Sequence, residues 1–128
     1  IAMQKEILST TNAPAAIGPY SQGIAAGDLV FVSGQLPIDP ATGVMPEDVK
    51  DQARASIKNI KAILEAAGTS LDKVVKTTCF LSDISYFAAF NEAYAEFFPA
   101  QGAPARSAVG VAALPKGAKL EIEAIAIK

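Results

Sequence analysis

The fold is decided by residues 48–81, which read DVKDQARASIKNIKAILEAAGTSLDKVVKTTCFL. In the first part of this stretch, apolar residues recur every three or four positions and charged residues face elsewhere. This spacing predicts an amphipathic helix over residues 48–67, with Gly68 as its C-terminal cap. Residues 74–81 are rich in β-branched side chains and predict a strand. The stretch therefore predicts a helix that leads into a strand of a sheet.

The sequence on either side of this stretch predicts five more strands and one more helix. The helix is predicted over residues 85–98, where aromatic residues recur at helical spacing before Pro99. The strands are predicted at residues 5–8, 23–26, 29–33, 107–111 and 120–127. We expect the last two strands to pair with each other through the loop that holds residues 114–117. The predicted order is βββ-α-β-α-ββ, a single α+β domain over residues 1–128.

Several predicted strands carry apolar residues on both faces. In residues 74–81, Val75, Cys79 and Leu81 oppose Val74 and Phe80; in residues 120–127, Leu120 and Ile122 oppose Ile125 and Ile127. Two helices can cover only one face of a sheet of about six strands. The chain is 51% hydrophobic and 19% charged, whereas soluble domains average about 25% charged residues. We therefore expect copies of the same protein to cover the second face in a closed ring, with sites between subunits.

The composition excludes several classes of function. The net charge is -2 and the lysines are scattered, so no basic surface for nucleic acid is predicted. Histidine is absent and Cys79 is the single cysteine, which excludes the common metal sites, Cys–His and Ser–His catalysis and an intramolecular disulfide. Any catalysis must use carboxylates, hydroxyls, amides and arginine. No metal ion or cofactor is expected.

The chain also lacks the signals of export or membrane insertion. Residues 1–6 have no apolar core of signal-peptide length, and no run approaches the ~20 apolar residues of a membrane span. The sequence predicts a cytoplasmic protein with no membrane partner. Met3 is compatible with a natural start, which would make Ile1 and Ala2 an added sequence.

Arg106 stands out because it is one of only two arginines and has almost no other charge nearby. A planar guanidinium can hold a carboxylate through two parallel hydrogen bonds, which a lysine ammonium cannot do. Its position beside a predicted strand therefore indicates a receptor for a carboxylate or a phosphate. The alternative is an arginine at a strand entrance that pairs with an acid of its own chain.

Four segments resemble one known family in their sequence and order. They are NAPAAIGPYSQ at residues 12–22, VSGQ at 32–35, PARS at 104–107 and LEIE at 120–123. With the predicted element order, they make nearly the whole chain similar to the RidA (YjgF-type) reactive-intermediate deaminases. The resemblance implies a chorismate-mutase-like α+β fold and a homotrimer whose sheets form a central barrel, with three clefts between subunits. It also implies hydrolysis of enamines and imines such as 2-aminoacrylate to a 2-keto acid and ammonia.

The resemblance implies roles for several residues. Arg106 would hold the carboxylate of the imino acid, and Glu121 would accept a proton from the attacking water, which is typically worth about 10² to 10⁴ in rate. Glu123 shares a strand face with Glu121 because side chains alternate, but the family pattern singles out Glu121. The alternative for either glutamate is a solvated acid at a strand edge.

Three further residues correspond to cleft residues of the family. Tyr20 would pack its ring on the substrate and bond to it through its hydroxyl, as a third candidate catalytic residue beside Arg106 and Glu121. Ser33 would donate to the substrate carboxylate or to water, and Asn91 would lie near the site. The structural alternatives are a turn aromatic that rests on the core, an ordinary strand-end serine and a helix-surface asparagine.

The chain departs from the family pattern at Ala108. Many members carry a cysteine directly after the serine of the arginine motif, and Cys79 lies on a different predicted strand. A thiol-dependent role at position 108 is therefore excluded, and Cys79 is expected to be buried and inert. Because water is the nucleophile in imine hydrolysis, we expect deaminase activity to survive this difference.

Three other functions are compatible with parts of the sequence. A regulator could bind 2-ketobutyrate or another small carboxylate at Arg106 without turnover. An endoribonuclease or translation inhibitor would need a basic groove, which an acidic chain without histidine does not predict. A chorismate mutase would need more positive charge than Arg54 and Arg106 supply.

Overall fold

The computed structural model describes residues 3–128, and the origin of Ile1 and Ala2 lies outside these residues. The strands are β1 (Lys5–Leu8), β2 (Gly23–Ala26), β3 (Leu29–Gln35), β4 (Val74–Leu81), β5 (Ala105–Gly110) and β6 (Leu120–Ile127). The helices are α1 (Val49–Ala66) and α2 (Phe87–Phe97), with short 3-10 turns at Leu71–Lys73, Ile84–Tyr86 and Pro115–Gly117. The predicted order βββ-α-β-α-ββ, with six strands and two helices, is confirmed.

Both ends of α1 are capped. At the start, the Asp48 side chain accepts a hydrogen bond from the backbone N–H of Asp51. At the end, Gly68 adopts a positive φ of 81°, which an L side chain disfavours. The backbone N–H of Thr69 then donates to the Leu64 carbonyl at 3.0 Å, which completes a Schellman motif. The cap predicted at Gly68 is confirmed.

The six strands form one sheet in the order β1-β2-β3-β6-β4-β5. All neighbours are antiparallel except β4 and β5, which are parallel because α2 connects them. The prediction that β5 and β6 pair with each other is wrong, since β4 lies between them. The apolar strand β4 needs neighbours on both sides, whereas β5 carries Arg106, Ser107 and Gly110 and tolerates the edge.

The core lies between the two helices and one face of the sheet. Ile57 and Ile60 of α1, Phe90 of α2, and Leu120 and Ile122 of β6 have no exposed surface. Burial of each such side chain contributes about 1.5–3 kcal/mol to stability. The helices contribute to one face only: α1 packs on β3 and β6, and α2 packs on α1. The predicted placement of both helices on one side is therefore confirmed.

A bulge in β4 changes which valine is buried. Val74 pairs with Ala126 and Lys76 with Ile125, so Val75 is an extra residue without a partner on β6. Val74 consequently joins Cys79 in the core, while Val75 is 40% exposed on the other face. The prediction that grouped Val75 with Cys79 is wrong, because one inserted residue reverses the alternation of side chains.

The second face of the sheet, called the open face below, is uncovered within the described residues. Its exposed apolar side chains come from five strands: Ile7, Leu29, Phe31, Val75, Val109 and Ile127. An apolar surface of this extent is typical of a protein–protein interface. Coverage by other copies of the chain stays a prediction. Within residues 3–128, no helix has the length and apolar character needed to cross a bilayer.

Candidate functional site

A bulge in β3 shapes one side of the candidate site. Val32 pairs with Ala124 of β6 and Gln35 with Ile122, so Ser33 and Gly34 together face the single residue Glu123. The strand therefore continues past Gly34, where the sequence predicted its end. Because of the extra residue, Gln35 returns to the core side, and Ser33 stays beside a groove on the open face.

Glu121 lies against the backbone of this bulge. A Cβ atom at Gly34 would stand 2.9 Å from Glu121 Cδ, so a side chain there would push the carboxyl group aside. Burial raises the pKa of the half-buried Glu121 carboxyl above its ordinary value, and the charge of Glu123 raises it further. Within residues 3–128, no cation forms an ion pair with Glu121. The carboxyl group thus packs closely against the Gly34 backbone, and its raised pKa makes the carboxylate a stronger base than an exposed glutamate.

Tyr20 reaches the same groove from the loop between β1 and β2. Gln22 holds this loop: its buried side chain donates to the carbonyls of Thr10 and Pro14 and accepts from the Thr10 backbone N–H at 2.7 Å. The Tyr20 ring is half exposed, and its hydroxyl accepts from the Ile17 N–H at 3.4 Å. Gln22 is the last residue of the segment at residues 12–22, but the sequence alone assigned it no role. The signal in the sequence is an amide side chain directly before a strand, next to a loop whose backbone groups have few hydrogen-bond partners of their own.

The Ser33 hydroxyl already has a partner for its proton. Ser33 Oγ donates to the Ser21 carbonyl at 2.6 Å. A hydroxyl has one proton and two lone pairs, so in this arrangement Ser33 can accept a hydrogen bond from a ligand or water. The predicted donation to a substrate carboxylate would require this bond to Ser21 to break.

The groove joins Tyr20, Ser33 and Glu121, three of the predicted site residues, on the open face. Its volume is about 760 Å³, and Glu123 lines it as well. Further lining residues include Ile17, Leu36, Ile38, Asp39, Phe80 and Lys116. The walls are mostly apolar with a few polar groups, which is the usual composition of a small-molecule site.

One wall of the groove is formed by the end of β3 and the loop over residues 36–46, and three buried polar side chains of α1 bind the backbone there. Gln52 donates to the Pro46 carbonyl at 2.7 Å, and Asn59 donates to the Ile38 carbonyl at 2.9 Å. Ser56 donates to the carbonyl of Gln35. Sequence reasoning missed these supports. Their signal is a polar row at positions 52, 56 and 59 beside the apolar stripe of α1, at helical spacing.

Arg106 and Asn91 form a second cluster, the arginine clamp, on the helix side of the sheet. Arg106 is the second residue of β5, and its Nη1 donates to Asn91 Oδ1 at 2.7 Å. The guanidinium carbon lies 5.4 Å from the ring centre of Phe87 and 4.8 Å from that of Tyr94, both on α2. The Tyr94 hydroxyl is in turn 2.7 Å from Thr77 Oγ1. The guanidinium is therefore fixed by an amide and two aromatic rings.

No acid of the described chain neutralises this guanidinium. The ion pairs within residues 3–128 involve Arg54 and two lysines, Lys50 and Lys128, and none involves Arg106. The alternative interpretation, an arginine paired with an acid of its own chain, therefore has no partner here. The rings attract the cation through their faces and leave its outer N–H groups available.

The structure does not bring all five predicted residues into one cavity of a single chain. Arg106 pairs in register with Thr77, whose side chain is in the core. Glu121 pairs with Phe80, which lines the groove on the open face. Tyr20, Ser33 and Glu121 thus share the groove, while Arg106 and Asn91 share the clamp on the opposite side of the sheet.

Cys79 stands beside Ala108 in the parallel pairing of β4 and β5. Its thiol is fully buried, and this burial raises its pKa to about 11. A thiol of this kind stays protonated near neutral pH and is a poor nucleophile. Among residues 3–128, no three His, Cys, Asp or Glu side chains converge as a metal site.

The chain is similar to proteins of known family and structure. The model of a family described as endoribonuclease L-PSP matches residues 10–128. The putative reactive intermediate deaminase TdcF of Escherichia coli is 53% identical over 97% of this chain and 98% of its own length. The 2-iminobutanoate/2-iminopropanoate deaminase of Salmonella typhimurium is 54% identical over 94% of this chain and 96% of its own.

Solved structures agree with this result. The crystal structure of Escherichia coli TdcF with bound serine has a TM-score of 0.91 at 53% identity, covering 96% of this chain and 98% of that one. The structure of the Escherichia coli YjgF gene product has a TM-score of 0.91 at 52% identity, with the same coverage. The chain therefore belongs to the endoribonuclease L-PSP family, which includes the RidA (YjgF-type) deaminases that its sequence segments resemble.

Proposed function

We propose that this protein is a 2-iminobutanoate/2-iminopropanoate deaminase, a hydrolase that converts enamines and imines such as 2-aminoacrylate to 2-keto acids and ammonia. The names of relatives that are 53% and 54% identical support this activity. The observation that carries the proposal is the arginine clamp. A fixed guanidinium without a carboxylate partner in its own described chain is suited to the carboxylate that every 2-imino acid carries.

The groove supplies the second requirement, a base for water. Glu121 takes a proton from water as the water oxygen bonds to the C=N carbon of the protonated imine. It then returns that proton to the amine nitrogen of the carbinolamine and takes the hydroxyl proton as the C–N bond breaks. Ammonia leaves and carries away the last proton, so the keto acid remains and the Glu121 carboxylate is restored. A raised pKa suits a group that must both accept and return a proton.

Tyr20 and Ser33 complete the groove around the reacting atoms. The half-exposed Tyr20 ring gives the substrate an apolar surface to pack on, and its hydroxyl can bond to a polar atom of the substrate. Ser33 accepts a hydrogen bond from the attacking water, since its own proton is used by Ser21. No cofactor is needed, because the substrate carries its own electrophilic carbon.

We propose that the complete site lies between subunits of a homotrimer. The groove and the clamp lie on opposite sides of the sheet, so one chain cannot place both on the same small ligand. A neighbour that covers the exposed apolar open face would bring its own β5 edge toward this groove. The clamp of one subunit would then hold the substrate carboxylate, and the groove of the next would supply Glu121, Tyr20 and Ser33.

The substrates are small imino acids that amino-acid dehydratases release, so we place the protein in the cytoplasm beside such enzymes. Nucleic acid is not a proposed partner, although the family description names an endoribonuclease. The chain has no histidine and a net charge of -2, whereas phosphate backbones are bound by clustered Lys and Arg.

The activity is tested with 2-aminoacrylate generated freshly from a dehydratase reaction. We expect the protein to accelerate ammonia release, and Arg106→Lys to lower kcat/KM by at least about 100-fold, mainly through KM, because lysine loses the bidentate grip. Arg54→Lys is the matched control, since Arg54 pairs with Asp51 and Glu96 on the surface of the helices.

A folded assembly that leaves the decay of 2-aminoacrylate unchanged would contradict the proposal. In that case binding of 2-ketobutyrate should be measured. The clamp would equally suit a regulator that holds small carboxylates without turnover. Affinity that is lost in Arg106→Lys, in a protein that has no deaminase activity, would establish this second function.

A further inference from the structure

Two glutamates of β6 share the groove, and only one of them has a role in the proposed reaction. Glu121 and Glu123 are separated by one residue, so their side chains leave the same face of the strand. Both line the groove, while Ile122 between them is buried in the core. Alternate residues of a strand stand about 6.7 Å apart. At this separation, two carboxylates repel each other without sharing a proton.

The other charged or titratable groups around Glu121 come from three loops and the neighbouring strand. Asp39 belongs to the loop over residues 36–46, Lys116 to the loop before β6, and Tyr20 to the loop after β1. On β4, Lys76 donates to the Ser107 hydroxyl at 3.0 Å. Within residues 3–128, neither Lys116 nor Lys76 forms an ion pair with either glutamate. Within a single chain, the charge of Glu123 therefore acts on Glu121 without a paired cation. In the proposed trimer, Arg106 of the neighbouring subunit would add its positive charge to the site in the wild type and in Glu123→Gln alike.

The two glutamates differ in their contact with solvent. Glu121 is half-buried against Gly34, whereas Glu123 is exposed. A buried carboxylate loses hydration and is sensitive to a nearby negative charge, while an exposed glutamate is stabilised by water. The arrangement has the features of a carboxylate pair in which one member reacts and the other sets its basicity.

We propose that Glu123 is a positioning residue that keeps Glu121 basic enough to take a proton from water. This inference rests on the proposed deaminase function. The negative charge of Glu123 disfavours a second negative charge at Glu121 and so favours proton uptake there. A base whose pKa lies closer to the working pH transfers protons more efficiently.

The first experiment is the pH profile of kcat/KM for the wild type and Glu123→Gln. Glu121 accepts protons only when ionised, so activity falls as the pH drops through its pKa. Removal of the Glu123 charge lowers that pKa, and the acidic limb should move to lower pH by about half a unit to one and a half units. Glu123→Asp should restore the wild-type limb, and Glu65→Gln, on the exposed face of α1, should leave it unchanged.

A second measurement does not depend on activity. The carboxyl carbon of Glu121 is followed by NMR during a pH titration of the free protein, with and without Glu123→Gln. We expect its pKa to fall in the variant by the same amount as the acidic limb. An unchanged pKa of Glu121 would overturn the inference whether or not the protein is a deaminase. A lowered pKa without catalysis would leave the coupling intact and reject the proposed function instead.

Discussion

The arginine clamp and the Glu121 groove differ in how far one chain completes them. The clamp is complete within one chain, since Asn91, Phe87 and Tyr94 all contact the Arg106 guanidinium. The groove is open to one side, and its base is held only by burial and by the backbone at Gly34. The proposed binding group is therefore preorganised within one chain. In the proposed trimer, a neighbouring subunit would supply the missing wall beside the proposed base.

This difference predicts that substitutions in the two clusters change different kinetic constants. The largest effect is expected for Glu121→Gln, which removes the proton acceptor and keeps the size of the side chain. We expect kcat to fall by about 10² to 10⁴ while KM changes little. Steady-state kinetics with 2-aminoacrylate measures both constants. A rise in KM without a fall in kcat would show that Glu121 binds substrate. The two clusters would then not have separate roles in binding and catalysis.

A smaller loss is expected for Gly34→Ala. The new Cβ would stand 2.9 Å from Glu121 Cδ, at the far end of a flexible side chain that can move away. Stability should fall by less than about 1 kcal/mol, but activity should fall by about tenfold to a hundredfold because the carboxylate is displaced.

The control for this substitution is Gly110→Ala, where a Cβ would meet Ile84 at an ordinary 3.6 Å. Thermal unfolding and kinetics should be measured on both variants. If Gly34→Ala unfolds at a much lower temperature, the position is structural. If it is fully active, contact with Gly34 does not set the place of Glu121.

The smallest effect on catalysis is expected for Tyr94→Phe, which keeps the ring over Arg106 and removes the bond to Thr77. KM should rise a few-fold with kcat unchanged, because the ring is less firmly held. The buried Thr77 hydroxyl loses its bond to Tyr94 and keeps only the weak contact of the Cys79 thiol at 4.0 Å, at a cost of about 1–3 kcal/mol in the free energy of unfolding.

A second substitution separates these two effects. In Tyr94→Phe combined with Thr77→Val, both hydroxyls are gone, and we expect most of the stability to return. Chemical denaturation and kinetics measure the two quantities. A KM that matches the wild type in both variants would show that the clamp does not depend on Tyr94 being anchored.

The sequence predicted the helices and strands well because their signals are local. The stripe of α1, its cap at Gly68 and the bounds of β1, β2, β4 and β6 follow from spacing and turn residues within a short window. The pairing of β5 was predicted wrongly, because it depends on which strand can lie at the edge of the sheet, and this is not a local property of the sequence. The bulges at Val75 and Ser33 were missed as well, because an inserted residue leaves no mark in the pattern.

The candidate site was predictable as a set of residues but not as an arrangement. Motifs named Tyr20, Ser33, Asn91, Arg106 and Glu121 as site residues. Which face of the sheet Arg106 occupies is set by its register with Thr77 on β4, a contact between distant parts of the chain. The supports from Gln22 and α1 are polar residues in buried positions, and hydrophobic periodicity does not identify such residues.

The central claim is that Arg106 of one subunit and Glu121 of its neighbour serve the same substrate. It is tested by co-expressing Arg106→Lys chains with Glu121→Gln chains and measuring 2-aminoacrylate hydrolysis by the mixed assemblies. Each variant alone should be nearly inactive at substrate concentrations below the wild-type KM, where the rate reports kcat/KM. Random mixing in a ring should restore about one quarter of the wild-type activity, because about one interface in four then joins two intact residues. Mixed assemblies that stay as inactive as the two parents would contradict the account.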